Sequence, residues 1–207
     1  ALRALAEATT KLGDPARATS LLEQILQTEA EINDSRTKAE ALRALAEVTA
    51  GLGDPARAAL LLEQAIQAAA GIDAPEYKAE ALRALAEATT KLGDPARAAL
   101  LLEQILRVVA GITIYNAKYK AEALRALAEA TTKLGDPARA ALLLEQILQI
   151  EAGINNDHAY KASVLDTVTK GYAHLGYWRQ ARQIAELNIT ANAQAMALAA
   201  ILDIWKN

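Results

Sequence analysis

The chain has 207 residues, 53% of them hydrophobic but only 4% aromatic, with no phenylalanine, so its apolar content is mainly alanine and leucine, the composition of a helix former. Its 22 basic and 25 acidic residues leave a formal charge of −3, which argues against a nucleic-acid partner and against a polybasic membrane surface. The absence of cysteine excludes disulfides, thiolate metal sites and a cysteine nucleophile, and no apolar run approaches the roughly 20 residues that span a bilayer, so a soluble, cytoplasmic chain without a membrane partner is expected.

The first element opens at Ala1 with Ala-Leu-Arg-Ala-Leu-Ala-Glu, and that string returns at Ala41, Ala81 and Ala123, at spacings of 40, 40 and 42 residues. Gly-Asp-Pro-Ala-Arg recurs in step at Gly13, Gly53, Gly93 and Gly135, and Lys78 to Leu106 is identical to Lys120 to Leu148. Such a period marks a repeat architecture. The units run over about 1–37, 38–77, 78–119, 120–160 and 161–190, a single repeat domain over 1–207 that closes with a helix over 191–207. Because the chain starts inside a helix and its first copy lacks the Lys-Ala-Glu opening of the others, further sequence upstream is expected.

Each unit reads as two helices. In the third copy Leu82, Leu85 and Ala86, then Leu92, then Ala98, Leu102, Ile105 and Leu106 follow helical rather than strand spacing. Between the two helices Gly93 suits the left-handed conformation that closes the first, Asp94 caps the second, and Pro95 fits a first helical position that needs no N–H. So short a turn makes the helices antiparallel neighbours, and since neither can bury its apolar face alone, successive pairs must stack. The links vary from copy to copy, as in Gly71-Ile72-Asp73-Ala74-Pro75-Glu76 and Gly111-Ile112-Thr113-Ile114-Tyr115-Asn116, and Asp34, Asp73, Asn116 and Asp157 are read as caps of the helices that follow. The fifth copy diverges, with Leu175-Gly176-Tyr177-Trp178 in place of Leu-Gly-Asp-Pro. In the last segment Met196, Leu198, Ile201, Leu202 and Trp205 are expected to cover the final pair, with Asn192, Gln194, Asp203 and Lys206 facing water, as a capping helix would.

On Leu82, Leu85, Ala86, Gly93, Ala98, Leu102 and Ile105 the units resemble tetratricopeptide (TPR) repeats, and in the fifth copy Tyr172, Gly176, Trp178 and Ala181 strengthen the likeness. The resemblance implies an all-α fold, a right-handed α-solenoid of stacked antiparallel helix-turn-helix repeats, about five pairs plus a C-terminal capping helix. Two features depart from the family pattern: its period is 34 where this one is about 40, and its aromatic at the position of Thr89 is missing from the first four copies. The lysine and asparagine carboxylate clamp known in the family has no counterpart, since Arg83 and Glu87 stand there. Near-identical copies also resemble consensus-engineered arrays, although irregular links such as Ile114-Tyr115 favour natural duplication.

By the same resemblance the first helix of each pair lines a concave surface. That surface would carry Glu40, Arg43 and Glu47 in the second copy, Glu80, Arg83, Glu87, Thr90 and Lys91 in the third, and Glu122, Arg125, Glu129, Thr132 and Lys133 in the fourth. Spacings of three and four residues allow these charges to pair along one helix, giving a solvated, self-paired face; the alternative is a ladder that recognises a peptide of complementary charge. Leu60, Leu100 and Leu142 fall where the family usually has a charged residue, and the preferred reading rotates them into the core, an exposed ridge being the alternative. Tyr77, Tyr119 and Tyr160 precede the shared Lys-Ala pair and are read as core, with an aromatic rim to the groove as the alternative.

No convergent catalytic cluster is evident. His158 and His174 have no partner at metal-ligand spacing, Ser163 and Thr169 have no base, and Gly13-Asp14-Pro15 is a helix turn rather than a phosphate loop. The function expected is therefore a scaffold that holds a protein or peptide in its groove, without catalysis, cofactor or metal. The alternative is a structural array, natural or engineered, that associates with itself end to end.

Overall fold

A computed structural model describes residues 20–21, 23–24, 27–28, 32, 34–51, 54–113, 116–154, 158–188 and 191–206. Those residues are helical apart from turns and links, and they fall into two compact units divided after Val109.

In the first unit, α1 (Ser35–Thr49), α2 (Pro55–Ala70), α3 (Pro75–Thr89) and α4 (Pro95–Ala110, reaching the unit boundary) follow one another, and the described residues of 20–28 are also helical. Packing joins α1 to α2, α2 to α3, and most extensively α1 to α3, the first helices of successive pairs. The second unit holds α5 (Ala117–Thr131), α6 (Pro137–Glu151), α7 (His158–His174), α8 (Trp178–Glu186) and α9 (Ala191–Lys206). There α5 packs on α6 and α7, α7 also on α6, α8 and α9, and α8 on α9. Helices of 15 or 16 residues in the second to fourth pairs account for a period near 40.

The turns form as their residues dictate. Gly93, Gly135 and Gly176 have φ of 69°, 72° and 82°, a region closed to most side chains. Oδ1 of Asp94 accepts the N–H groups of Ala96 and Arg97, both at 3.1 Å; Asp54 caps α2 in the same manner, and Asp136 caps α6 by accepting the N–H of Arg139. At the head of α1, Asp34 accepts the amide of Thr37 at 2.7 Å. Two other expected caps differ. The N-cap of α3 is Ala74 rather than Asp73, because Pro75 already supplies the first helical position, and Asn116 caps α5 without a side-chain bond, its amide being given to Thr113 Oγ1 at 3.0 Å. Asp157 lies outside the described residues, as do Gly13, Gly53, Ile114 and Tyr115.

Alanine and leucine build the interior: Leu45, Leu62, Leu82, Leu85 and Leu102 in the first unit, and Leu124, Leu127, Leu144 and Val168 in the second, are all buried. Where the family aromatic is missing, Thr49, Thr89 and Thr131 are buried, and each hydroxyl donates at 2.7 Å to a carbonyl of its own helix, those of Leu45, Ala86 and Leu127. Tyr172 takes that position in the fifth copy and donates to the Ala141 carbonyl at 3.1 Å, a bond that ties α7 to α6. At the link into α5, buried Lys120 donates to the carbonyls of Ala110 and Ile112 at 3.0 and 3.1 Å. It thereby satisfies the open end of α4, and burial lowers its pKa.

Two expectations are overturned. Leu60, Leu100 and Leu142 do not enter the core but are 61%, 56% and 61% exposed. Helix phase explains this. The buried stripe of α2 is Ala58, Leu61, Leu62, Ala65, Ile66 and Ala69, and Leu60 stands one residue, about 100° of rotation, outside it. The closing helix α9 does lie on α7 and α8, but through Ala197, flanked by half-buried Ala193, Ala200, Ile201 and Ile204. Met196, Leu198, Leu202 and Trp205 therefore face outward, while Gln194, expected in water, turns inward and donates to the carbonyls of Glu186 and Asn188 at 3.1 and 2.7 Å.

Candidate functional site

In the first unit the outer faces of α1 and α3 meet in a groove of about 390 Å³ lined by Arg36, Glu40, Arg43, Ala44, Glu47, Tyr77 and Glu80. A smaller continuation of about 130 Å³ brings in Arg83, Glu87 and Lys91. The helical period produces this surface. In α1 the core takes Ala39, Leu42, Leu45 and Ala46, which leaves positions 36, 40, 43 and 47 as one outward stripe, and α3 repeats it at 80, 83 and 87. Small Ala44, Ala84 and Ala88 form the floor, so the charged side chains stand as walls.

The charges pair both along and across the helices. Arg36 Nε lies 3.0 Å from Glu40, Arg43 Nε 3.6 Å from Glu47, and Lys91 Nζ 3.7 Å from Glu87, all four residues apart. Arg43 also reaches over to α3, its Nη1 standing 3.1 Å from Glu80 Oε1. Both Asp34 and Arg36 are held further toward their charged forms, Asp34 chiefly by the Thr37 hydroxyl and Arg36 chiefly by Glu40. Each pair is open to water, which screens it, so it contributes little to stability. The arrangement is thus a wet rim of both signs that can exchange its partners for those of a ligand.

Every charged residue expected in the second and third copies lines this groove, whereas Thr90, at the C-cap of α3, does not. In the second unit Glu122, Arg125 and Glu129 are exposed on α5, with Lys133 exposed just beyond it. Tyr77 is half-buried and stands in the groove wall, a place between the two expectations made for it, and Tyr119 and Tyr160 are likewise half-buried. Asp166 and Lys170, paired at 2.7 Å, occupy in the fifth copy the positions of Arg83 and Glu87. The sign of the ladder is therefore reversed there, as a copy-by-copy alignment of the sequence would have revealed. Both histidines are exposed, and among the described residues no group of acidic or histidine side chains is placed to hold a metal ion.

Comparison with protein-family models and with curated proteins finds no match. Among solved structures, the chain is similar to a Podosopora anserina protein assigned as a kinesin light chain and built of nearly identical TPR-like repeats: identity is 23% over 96% of this chain and 93% of that one, with a TM-score of 0.47. A single-substitution variant of that protein gives 22% identity over 100% and 95%, with a TM-score of 0.46. The chain's own construction is that of a helical repeat: left-handed glycines stand at the turns, and within each unit first helices pack on first helices.

Proposed function

We propose that the chain is a protein-interaction scaffold rather than an enzyme, and that the face shared by α1 and α3 holds a peptide or a partner's helix. The observation that carries this reading is the groove of about 390 Å³ with both signs of charge on its rim and the Tyr77 ring in its wall. A rim of exposed pairs costs little to open, and an aromatic wall adds contact area at small entropic cost, so a segment of alternating charge fits better than an apolar one. The domain is taken as one repeat array over 1–207, and Glu122, Arg125, Glu129 and Lys133 are taken as the corresponding binding residues of the second unit.

The test is a displayed peptide library panned against the whole chain, with the enriched peptides titrated by fluorescence anisotropy. Peptides carrying both charges at regular spacing should emerge, lose affinity at high salt, and bind an Arg43→Glu/Arg83→Glu variant at least about tenfold more weakly. Equal binding to the variant would exclude this groove.

A second reading, self-association at the C-terminal end, is favoured by one observation: Met196, Leu202 and Trp205 project from α9, with Trp205 67% exposed. Sedimentation of a Leu202→Ser/Trp205→Ser variant tests it, since an unchanged mass distribution would remove that end from consideration.

A further inference from the structure

The face of α2 and α4 opposite the core carries a shallow apolar depression of about 370 Å³ whose lining includes Ala59, Leu60, Leu100 and Leu101, between Glu63 on one side and Arg97 on the other. Gln104 Nε2 donates to Glu63 Oε1 at 3.2 Å, which fixes the two helices side by side in near-equivalent register. Nothing in the fold requires leucine at positions 60 and 100, because the core is closed by Leu61, Leu62, Leu101 and Leu102 behind them.

The charges around these leucines follow a rule. Arg57, Leu60 and Glu63 on α2 and Arg97, Leu100 and Glu103 on α4 share the spacing Arg-x-x-Leu-x-x-Glu, which recurs on α6 as Arg139, Leu142 and Glu145. At three-residue steps these side chains share one side of the helix, with the cation toward its N-terminus and the anion toward its C-terminus. Such a stripe is antisymmetric in charge about its leucine. A twofold axis lying across the helices sets a second copy face to face and antiparallel, bringing leucine to leucine and every arginine to a glutamate. A parallel arrangement would oppose like charges instead. A surface that is its own complement under a twofold operation is what an isologous dimer requires.

We propose that the Leu60–Leu100 face of α2 and α4 is a homodimer surface, with an antiparallel second copy of this chain as its occupant. Arg57 faces Glu63 of the second copy and Arg97 faces Glu103 of the second copy, and the leucines of each fill the depression of the other. The proposal concerns a face other than the charged groove and does not depend on what that groove binds.

The test is sedimentation equilibrium of the full chain over a wide concentration range, with circular dichroism to verify the fold of each variant. The wild-type chain should reach a dimer, and Leu60→Gln/Leu100→Gln should weaken it by at least about a hundredfold with an unchanged melting curve. Arg97→Glu and Glu103→Arg should each weaken it by about tenfold, and the two together should restore it to within about threefold. Arg97 and Glu103 lie six residues apart, too far to pair within one helix, so rescue by the double reversal arises only between copies. A monomer at every concentration would overturn the proposal, as would a dimer that ignores these variants but yields to Leu202→Ser/Trp205→Ser.

Discussion

Arg43 on α1 and Glu80 on α3 are 37 residues apart, yet their side chains meet at 3.1 Å and connect the outer stripes of two successive repeats. Both side chains are substantially open to water, so the pair is placed to organise the groove rather than to hold the helices together. In a double-mutant cycle, Arg43→Ala and Glu80→Ala should couple by less than about 1 kcal/mol in urea unfolding. A larger coupling would make the pair a structural strut and the groove a by-product of folding.

The turn between α3 and α4 separates two contributions that can be measured singly. Asp94→Ala removes the cap from two amides and should cost about 1 kcal/mol, whereas Gly93→Ala leaves the cap but forces a side chain into the left-handed region, at about 1–2 kcal/mol. Space does not limit the second substitution, since a Cβ there meets nothing within 4 Å. Gly93→Asn should therefore recover part of the loss, asparagine being tolerant of that conformation. Equal destabilisation by alanine and asparagine in thermal melts would locate the cost elsewhere.

Burial, followed by the nearby Glu145 charge, pushes the Tyr172 phenol up to about 12 from an ordinary 10.0. Between those values the unfolded chain releases the proton while the native chain retains it, so native protein binds more protons and stability falls as pH rises from 10 to 12. Tyr172→Phe should flatten that fall in alkaline unfolding curves, while losing up to about 1.5 kcal/mol at neutral pH with the bond to the Ala141 carbonyl. An identical alkaline slope in the variant would disprove the assignment.

Glu151 is buried, and burial raises its pKa against the opposing pull of Lys161, whose Nζ lies 3.7 Å away. Just above the ordinary value of 4.5 the native chain binds more protons than the unfolded one, so this carboxyl lowers stability as pH rises through its own titration. Glu151→Gln should accordingly raise stability at pH 7 by about 1 kcal/mol, and the gain should vanish below pH 4.5. Urea midpoints at the two pH values decide it, and a loss at neutral pH would mean that the ion pair outweighs the burial.

The helix pairs were legible in the sequence because glycine, aspartate and proline act locally, at short range, in each copy that carries Gly-Asp-Pro, and Gly176 alone keeps the turn in the fifth. Leucine runs were harder. In Leu60-Leu61-Leu62 composition does not say which member is left outside, and only the alanines at 58, 65 and 69 give the phase. The face of α9 was misread for a related reason. With alanine on several sides, it has no single apolar stripe, and its rotation follows the inward bonds of Gln194 instead. The groove residues were readable one helix at a time, but the contact of Arg43 with Glu80 depends on how α1 lies against α3, which no local spacing encodes.

The pairing of Arg43 with Glu80 joins a position of one copy to a different position of the next, and every intact copy from the second to the fourth carries both, as Glu40 with Arg43, Glu80 with Arg83, and Glu122 with Arg125. A plug and its socket thus travel together in the same 40 residues or so. A segment duplicated in place arrives with both halves of this groove-forming contact, and no third residue has to change for the charged rim to be repeated. Length in such a chain is an inexpensive variable for evolution: copies can be gained or lost in whole steps, each bringing its own charged stripe.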